Sequence, residues 1–162
     1  MNHKLIVILL ALASFLPAFA DDAVKSERWR KEMRQFKANF ISTELNLTEQ
    51  QREKFVPLYE EMDNKLDQEN RAVRKLEKEV DKKGSAATDA DYEKATEAMF
   101  SLRSKEATIE MTYYTKFAKL LDKQQMFKLK GAERKFMRKV MEQYKRGAAE
   151  RGKKKQTKSA KQ

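Results

Sequence analysis

The sequence predicts an all-α protein, on two observations. The 162 residues include only 4 glycines and 2 prolines, while 38% are charged, a composition suited to long helices rather than many short strands. Apolar residues also recur at steps of three and four along most of the chain, the period of a helix face. Lysine and arginine number 36 against 25 acids, a formal charge of +11. With no cysteine, the chain has no disulfide framework, no thiolate metal site and no cysteine nucleophile.

Residues 1–20 read as a leader. Met1 to Lys4 is a short positive start, and Leu5 to Leu16 is apolar apart from Ser14. Pro17 ends the run, and Ala18-Phe19-Ala20 is an A-x-A cleavage site. This is the pattern of a secretory signal peptide, cleaved after Ala20 and too short for a membrane span. Cleavage removes His3, the single histidine, and leaves 142 residues with a side-chain charge of +10. A chain without histidine or cysteine is poorly equipped for general acid–base chemistry or transition-metal binding. We therefore expect a soluble exported protein that is no enzyme and holds no metal or cofactor. The expected organisation is leader 1–20, helical domain 21–144 and basic tail 145–162.

In the first helical segment Trp29, Met33, Phe36 and Phe40 step by four, three and four, bounded by Arg28, Arg30, Lys31, Glu32 and Arg34. That is one stripe on a helix of about four turns, ending at Ser42-Thr43. The second segment runs from Glu49 to Lys82-Lys83-Gly84-Ser85, where positive charge and glycine end it. Phe55, Tyr59, Met62, Leu66, Glu69, Val73, Leu76 and Val80 form a heptad seam with one polar member. At about 34 residues it spans roughly 50 Å. Pro57 is expected to kink it in its early turns, with a break into two helices as the alternative.

Thr88 and the acids Asp89 and Asp91 open the third segment. Its stripe is Tyr92, Ala95, Met99, Leu102, Glu106, Ile109, Tyr113, Phe117 and Leu120. If the second and third segments fold back about Ser85, Glu106 faces Lys65 and Glu69 lies near Arg103. We favour the competing reading, a flat hairpin with both glutamates in solvent. The fourth segment carries Met126, Leu129, Met137, Val140, Met141 and Tyr144, with Phe127 and Phe136 close by and Gly131 inside it. Met137 and Met141 share a face as core residues; a soft-metal pair is the weaker alternative.

From Lys145 onward the stripe ends. The tail carries +7, including Lys145, Arg146, Arg151, Lys153, Lys154 and Lys155, and its only apolar residues are alanines. It is expected to be disordered, because it buries too little to order itself. Without it the processed body carries +3. Such a tail suits solvation, or an anionic lipid or acidic polymer, rather than a specific nucleic acid.

The most specific signal is a repeated helix start. Leu47-Thr48-Glu49-Gln50-Gln51 has the form L-T-x-x-Q, and Leu121-Asp122-Lys123-Gln124-Gln125 repeats it 74 residues later with aspartate as cap. Thr48 can accept from the Gln51 N–H while the Gln51 side chain accepts from the Thr48 N–H, a reciprocal capping box. One such box is ordinary punctuation. Two, each opening a helix in an exported helical chain, resemble the periplasmic LTxxQ family, the Spy/CpxP-type proteins, over most of Trp29 to Tyr144. The resemblance implies an elongated four-helix cradle with a long central hairpin, paired as an antiparallel homodimer in the periplasm. It also implies an ATP-independent holding chaperone or a stress adaptor; one branch of the family senses metals. Leu47, Thr48, Gln51, Leu121, Asp122 and Gln125 carry over as the residues that form the helix starts.

Three functions compete at this point. A holding chaperone would bind unfolded clients during envelope stress on apolar seams that the shorter outer helices leave uncovered. Trp29, Arg30, Met33, Arg34, Phe36 and Phe40 are its candidate contact face, although core packing is the preferred reading for most of the apolar four. An adaptor docking on an envelope signalling protein, such as a sensor kinase or sigma-factor system, would present the same bundle. Metal sensing lacks ligands.

Overall fold

The computed structural model describes residues 22–159, and the side chains of residues 25–149. The expected leader lies outside the described residues. Among these residues the chain is helical with no strand: α1 spans Asp22–Glu44, α2 Glu49–Lys83, α3 Asp89–Phe117 and α4 Lys123–Ser159, with a 3-10 turn at Gly84–Ala86. None of these helices is long and apolar enough to cross a membrane.

The connectors follow from local chemistry. After α1 the Asn46 N–H donates to Thr43 O and the Leu47 N–H to Ser42 O, with Asn46 at φ 51°. This is a Schellman end, and asparagine is one of the few non-glycine residues that enter the left-handed region readily. Thr48 then caps α2 at once. Gly84, at φ 50°, ends α2, where its missing Cβ removes the usual penalty of that conformation. Thr88 and Asp91 form a capping box that starts α3. Pro57 lies within α2, which continues past it as one helix; of the two expectations, the break does not occur. Pro57 is exposed, so water can serve the carbonyl that its missing N–H leaves open.

Helices α2 and α3 form an antiparallel hairpin. Lys83 pairs with Asp91 beside the turn, Asn70 donates to Glu106 (2.6 Å), and Phe55 and Phe117 rings meet 5.2 Å apart toward the far end. The expected register was Glu106 on Lys65 and Glu69 near Arg103. The structure instead sets Glu69 against Lys105 and Glu106 against Asn70. Both glutamates are half-buried, which also corrects the favoured solvent-exposed reading. The cause is the length of the turn. Gly84 to Thr88 lies outside both helices, so the fold-back centre falls beyond Ser85 and partners shift by about one helical turn.

The core gathers at the end of the hairpin remote from this turn. Ala38 and Ile41 of α1 and Leu45 just after it meet Phe55, Tyr59 and Met62 of α2, Tyr113 and Phe117 of α3, Leu121, and Leu129 and Ala132 of α4. Phe136 packs between Phe36 and Phe40, with ring centroids 5.7 and 5.6 Å away. Such tilted contacts contribute about 0.5–1.5 kcal/mol each beyond the area they bury. Between Met62 and Tyr113 the only buried apolar side chains are Val73 and Ala95, so the turn end of the hairpin is thinly covered.

Helix α4 departs most from expectation. It is the longest helix, 37 residues, so only α1 is a short outer helix. Its backbone stays helical through Ser159, where the segment from Lys145 was expected to be disordered. That expectation rested on the missing apolar stripe, which governs packing. The backbone follows local propensity instead, and Lys, Arg, Ala and Gln are good helix formers. Of the expected stripe, Leu129 is buried and Met126 and Val140 half-buried, whereas Met137, Met141 and Tyr144 are exposed. The buried face is Leu129, Ala132 and Phe136, rotated away from the predicted one.

Candidate functional site

The two L-T-x-x-Q segments meet. In the first, Gln51 N donates to the Thr48 hydroxyl oxygen (3.2 Å) and Thr48 N donates to Gln51 Oε1 (3.1 Å). In the second, Gln125 N donates to Asp122 Oδ1 (2.7 Å) and Asp122 N donates to Gln125 Oε1 (3.0 Å). The glutamines then bond each other both ways: Gln51 Nε2 to Gln125 Oε1 at 2.9 Å, Gln125 Nε2 to Gln51 Oε1 at 3.1 Å. Gln51 Nε2 also reaches Leu120 O (3.0 Å) and Gln125 Nε2 reaches Leu45 O (3.5 Å). Each amide thus closes its own helix start and ties it to a backbone carbonyl of the other inter-helix connector. Leu121 is buried and Leu47 half-buried, on the core side of this pair. Sequence reasoning found both boxes but not their union. Only glutamine serves here, since each position needs an acceptor for the cap and a donor for its twin.

The candidate face on α1 is divided. Phe36 and Phe40 lie against Phe136, and the Lys139 ammonium covers the Phe40 ring at 4.9 Å. Met33 is half-buried. Arg30 binds Glu27 at 2.7 Å, and Arg34 sits 3.7 Å from Glu27 and 3.6 Å from Asp67. Arg71 of α2 joins both acids, at 3.0 and 3.4 Å. Three guanidiniums therefore clamp two carboxylates and fix α1 along α2. Trp29 is the one member of the six that is exposed.

The tyrosine at the centre of the core is held by charge. Tyr59 donates to Glu133 Oε1 at 2.8 Å, and Lys130 bridges Glu133 (3.1 Å) to Glu110 of α3 (2.7 Å). Burial, reinforced by Glu133, pushes the Tyr59 phenol far above its ordinary value, so it remains a donor throughout the physiological range. Three helices are locked by these four side chains.

Larger apolar surfaces lie elsewhere. Phe100 is 82% exposed, Met111 62% and Tyr114 54%. With Ala107, also exposed, they step by seven, four and three along α3, on a face turned roughly 120° from that of Ala95, Tyr113 and Phe117 at about 100° per residue. The sequence held this signal as a second apolar stripe in one segment. Reading for a single core face passed over it. On α4, Met137, Met141 and Tyr144 are 52%, 50% and 66% exposed, and Phe127 is 88% exposed. The two methionines were expected to be core. They miss it because α1 and α2 meet α4 on its Leu129–Phe136 face.

Among the described residues no group of three or more histidine, cysteine, aspartate or glutamate side chains is arranged to hold a metal. Of the expected basic-tail residues, Lys145 and Arg146 are exposed on α4. Arg151, Lys153, Lys154 and Lys155 lie within its helical backbone, and their side chains fall outside the described ones. No protein-family model, curated protein or solved structure matches the chain.

Proposed function

We propose that this protein is an ATP-independent holding chaperone of the LTxxQ type, exported to the periplasm, that binds unfolded or aggregation-prone proteins. The observation that carries the reading is the Phe100–Ala107–Met111–Tyr114 stripe. These side chains project from a helix whose buried face is turned roughly 120° away from them, so the fold holds them in water. Large exposed apolar groups cost solubility and mark a surface made for contact. Methionine among them suits varied partners because its side chain adapts. Trp29 and the thinly covered turn end of the hairpin, with Tyr92 and Met99 exposed, extend the surface on offer. A homodimer belongs to the same reading, its second copy adding a second set of these faces.

The experiment is suppression of aggregation of unrelated unfolded proteins by residues 21–162, without nucleotide. The native chain is expected to suppress it at near-stoichiometric ratios. Replacing Phe100, Met111 and Tyr114 together with serine is expected to abolish suppression while helicity and melting temperature hold. Absence of suppression by the native chain overturns the proposal.

A further inference from the structure

Charge in this molecule is divided by helix. Residues 22–122 carry 20 basic and 21 acidic side chains, whereas residues 123–159, all of α4, carry 14 basic and 3 acidic ones. Two cations in the first half of α4 pair with other helices, Lys130 with Glu110 and Lys135 with Glu44. Arg134, Arg138, Lys145 and Arg146 are exposed and make no ion pair among the described residues. Between them Met137, Met141 and Tyr144 step by four and three and stand at least half in water. On a helix at 100° per residue these three share one face, and Arg134, Arg138 and Lys145 line its edge. Glu142 is the one acid between Arg134 and Arg146.

We propose that this face of α4 docks on the surface of an anionic lipid bilayer. A helix lying in the interfacial plane needs a narrow apolar strip to enter the headgroup–acyl boundary and cations beside it to meet lipid phosphates. Arg134 to Arg146 supplies both on exposed residues. A bare polyanion needs only the cations, and would leave the Met137–Met141–Tyr144 strip without a role. The surface is distinct from the α3 stripe, so lipid docking and client holding use different side chains and can fail separately. Docking would hold the molecule at a membrane with its α3 face still open.

The test is co-sedimentation of residues 21–162 with vesicles of phosphatidylcholine alone and of phosphatidylcholine mixed with phosphatidylglycerol. Every contact described above lies within residues 22–159, so this chain retains them all. Binding is expected on the mixed vesicles and near baseline on phosphatidylcholine. Replacing Arg134, Arg138 and Lys145 with serine should weaken it roughly a hundredfold, at about fivefold per charge. Met141→Ser with Tyr144→Ser should weaken it at least tenfold at unchanged charge. In a Trp29→Phe background, Tyr144→Trp should give a fluorescence blue-shift on mixed vesicles only. Since the α4 side chains replaced here are exposed and lie outside the client-holding surface, each α4 variant should keep the melting temperature and the suppression of aggregation of its own background, native or Trp29→Phe. Equal binding to both vesicle types overturns the proposal. So does vesicle binding that ignores either set of substitutions. Binding to polyphosphate as tight as to mixed vesicles, and indifferent to Tyr144→Ser, would make the face a polyanion site and overturn it too.

Discussion

Replacing Gln51 with alanine tests the joint between the two helix starts. The change removes the acceptor for Thr48 N, the donor to Leu120 O, and both bonds shared with Gln125. A hydrogen bond of this kind contributes about 0.5–1.5 kcal/mol net. Gln51 is half-buried, so water replaces part of the loss, and the expected cost is about 2–3 kcal/mol. Gln125→Ala removes the matching set and should cost about the same. At roughly 3–5 °C per kcal/mol for a domain of this size, each variant melts about 6–15 °C lower. The informative quantity is the double variant. Both shared bonds are already lost in either single change, so the two costs cannot add in full. The double should be more stable than the sum by at least about 1 kcal/mol. Urea unfolding of the four proteins, followed by circular dichroism, measures this coupling. Additivity within about 0.5 kcal/mol would mean that the two amides are independent caps, and would refute the reasoning.

Phe136→Ala should cost about 3–4 kcal/mol, because Phe136 is 3% exposed between two aromatic rings; Phe127→Ala, on the same helix but in water, should stay within about 0.5 kcal/mol by the same denaturant titration. Gly131→Ala should stabilise by about 0.5–1 kcal/mol, since a Cβ there meets nothing within 4 Å and the helix gains a better former; a lower melting temperature would contradict it. The Asp91 carboxyl is held at about 2, below its usual 3.8, by the Lys83 ammonium and then by the Thr88 N–H and hydroxyl. Its folded value lies below its unfolded one, so its contribution is complete above the unfolded value and lost as pH falls toward 2. Asp91→Asn should flatten that part of the acid profile, and a carboxyl NMR titration of the native chain centred near 3.8 would contradict the assignment.

What the sequence determined by itself was the set of helices and where the last three of them begin. Capping is a contact between residues three apart, so Thr48 with Gln51, Thr88 and its early acids, and Asp122 with Gln125 are legible in one dimension. The same holds for the seam of α2, whose Phe55, Tyr59, Met62 and Val73 are buried as its heptads require. The tertiary structure decided what local pattern leaves open. It joined Gln51 to Gln125 across 74 positions, and it set the hairpin register through the length of a turn that no periodicity encodes. It also chose between apolar faces. Helices α3 and α4 each carry more apolar surface than one stripe, and a helix period specifies spacing but not which side meets a neighbour. Phe136 went inward and Met137 and Met141 outward because α1 and α2 approach α4 from the Leu129 side. That choice is a property of three helices together, and it leaves the faces on which both proposed activities depend.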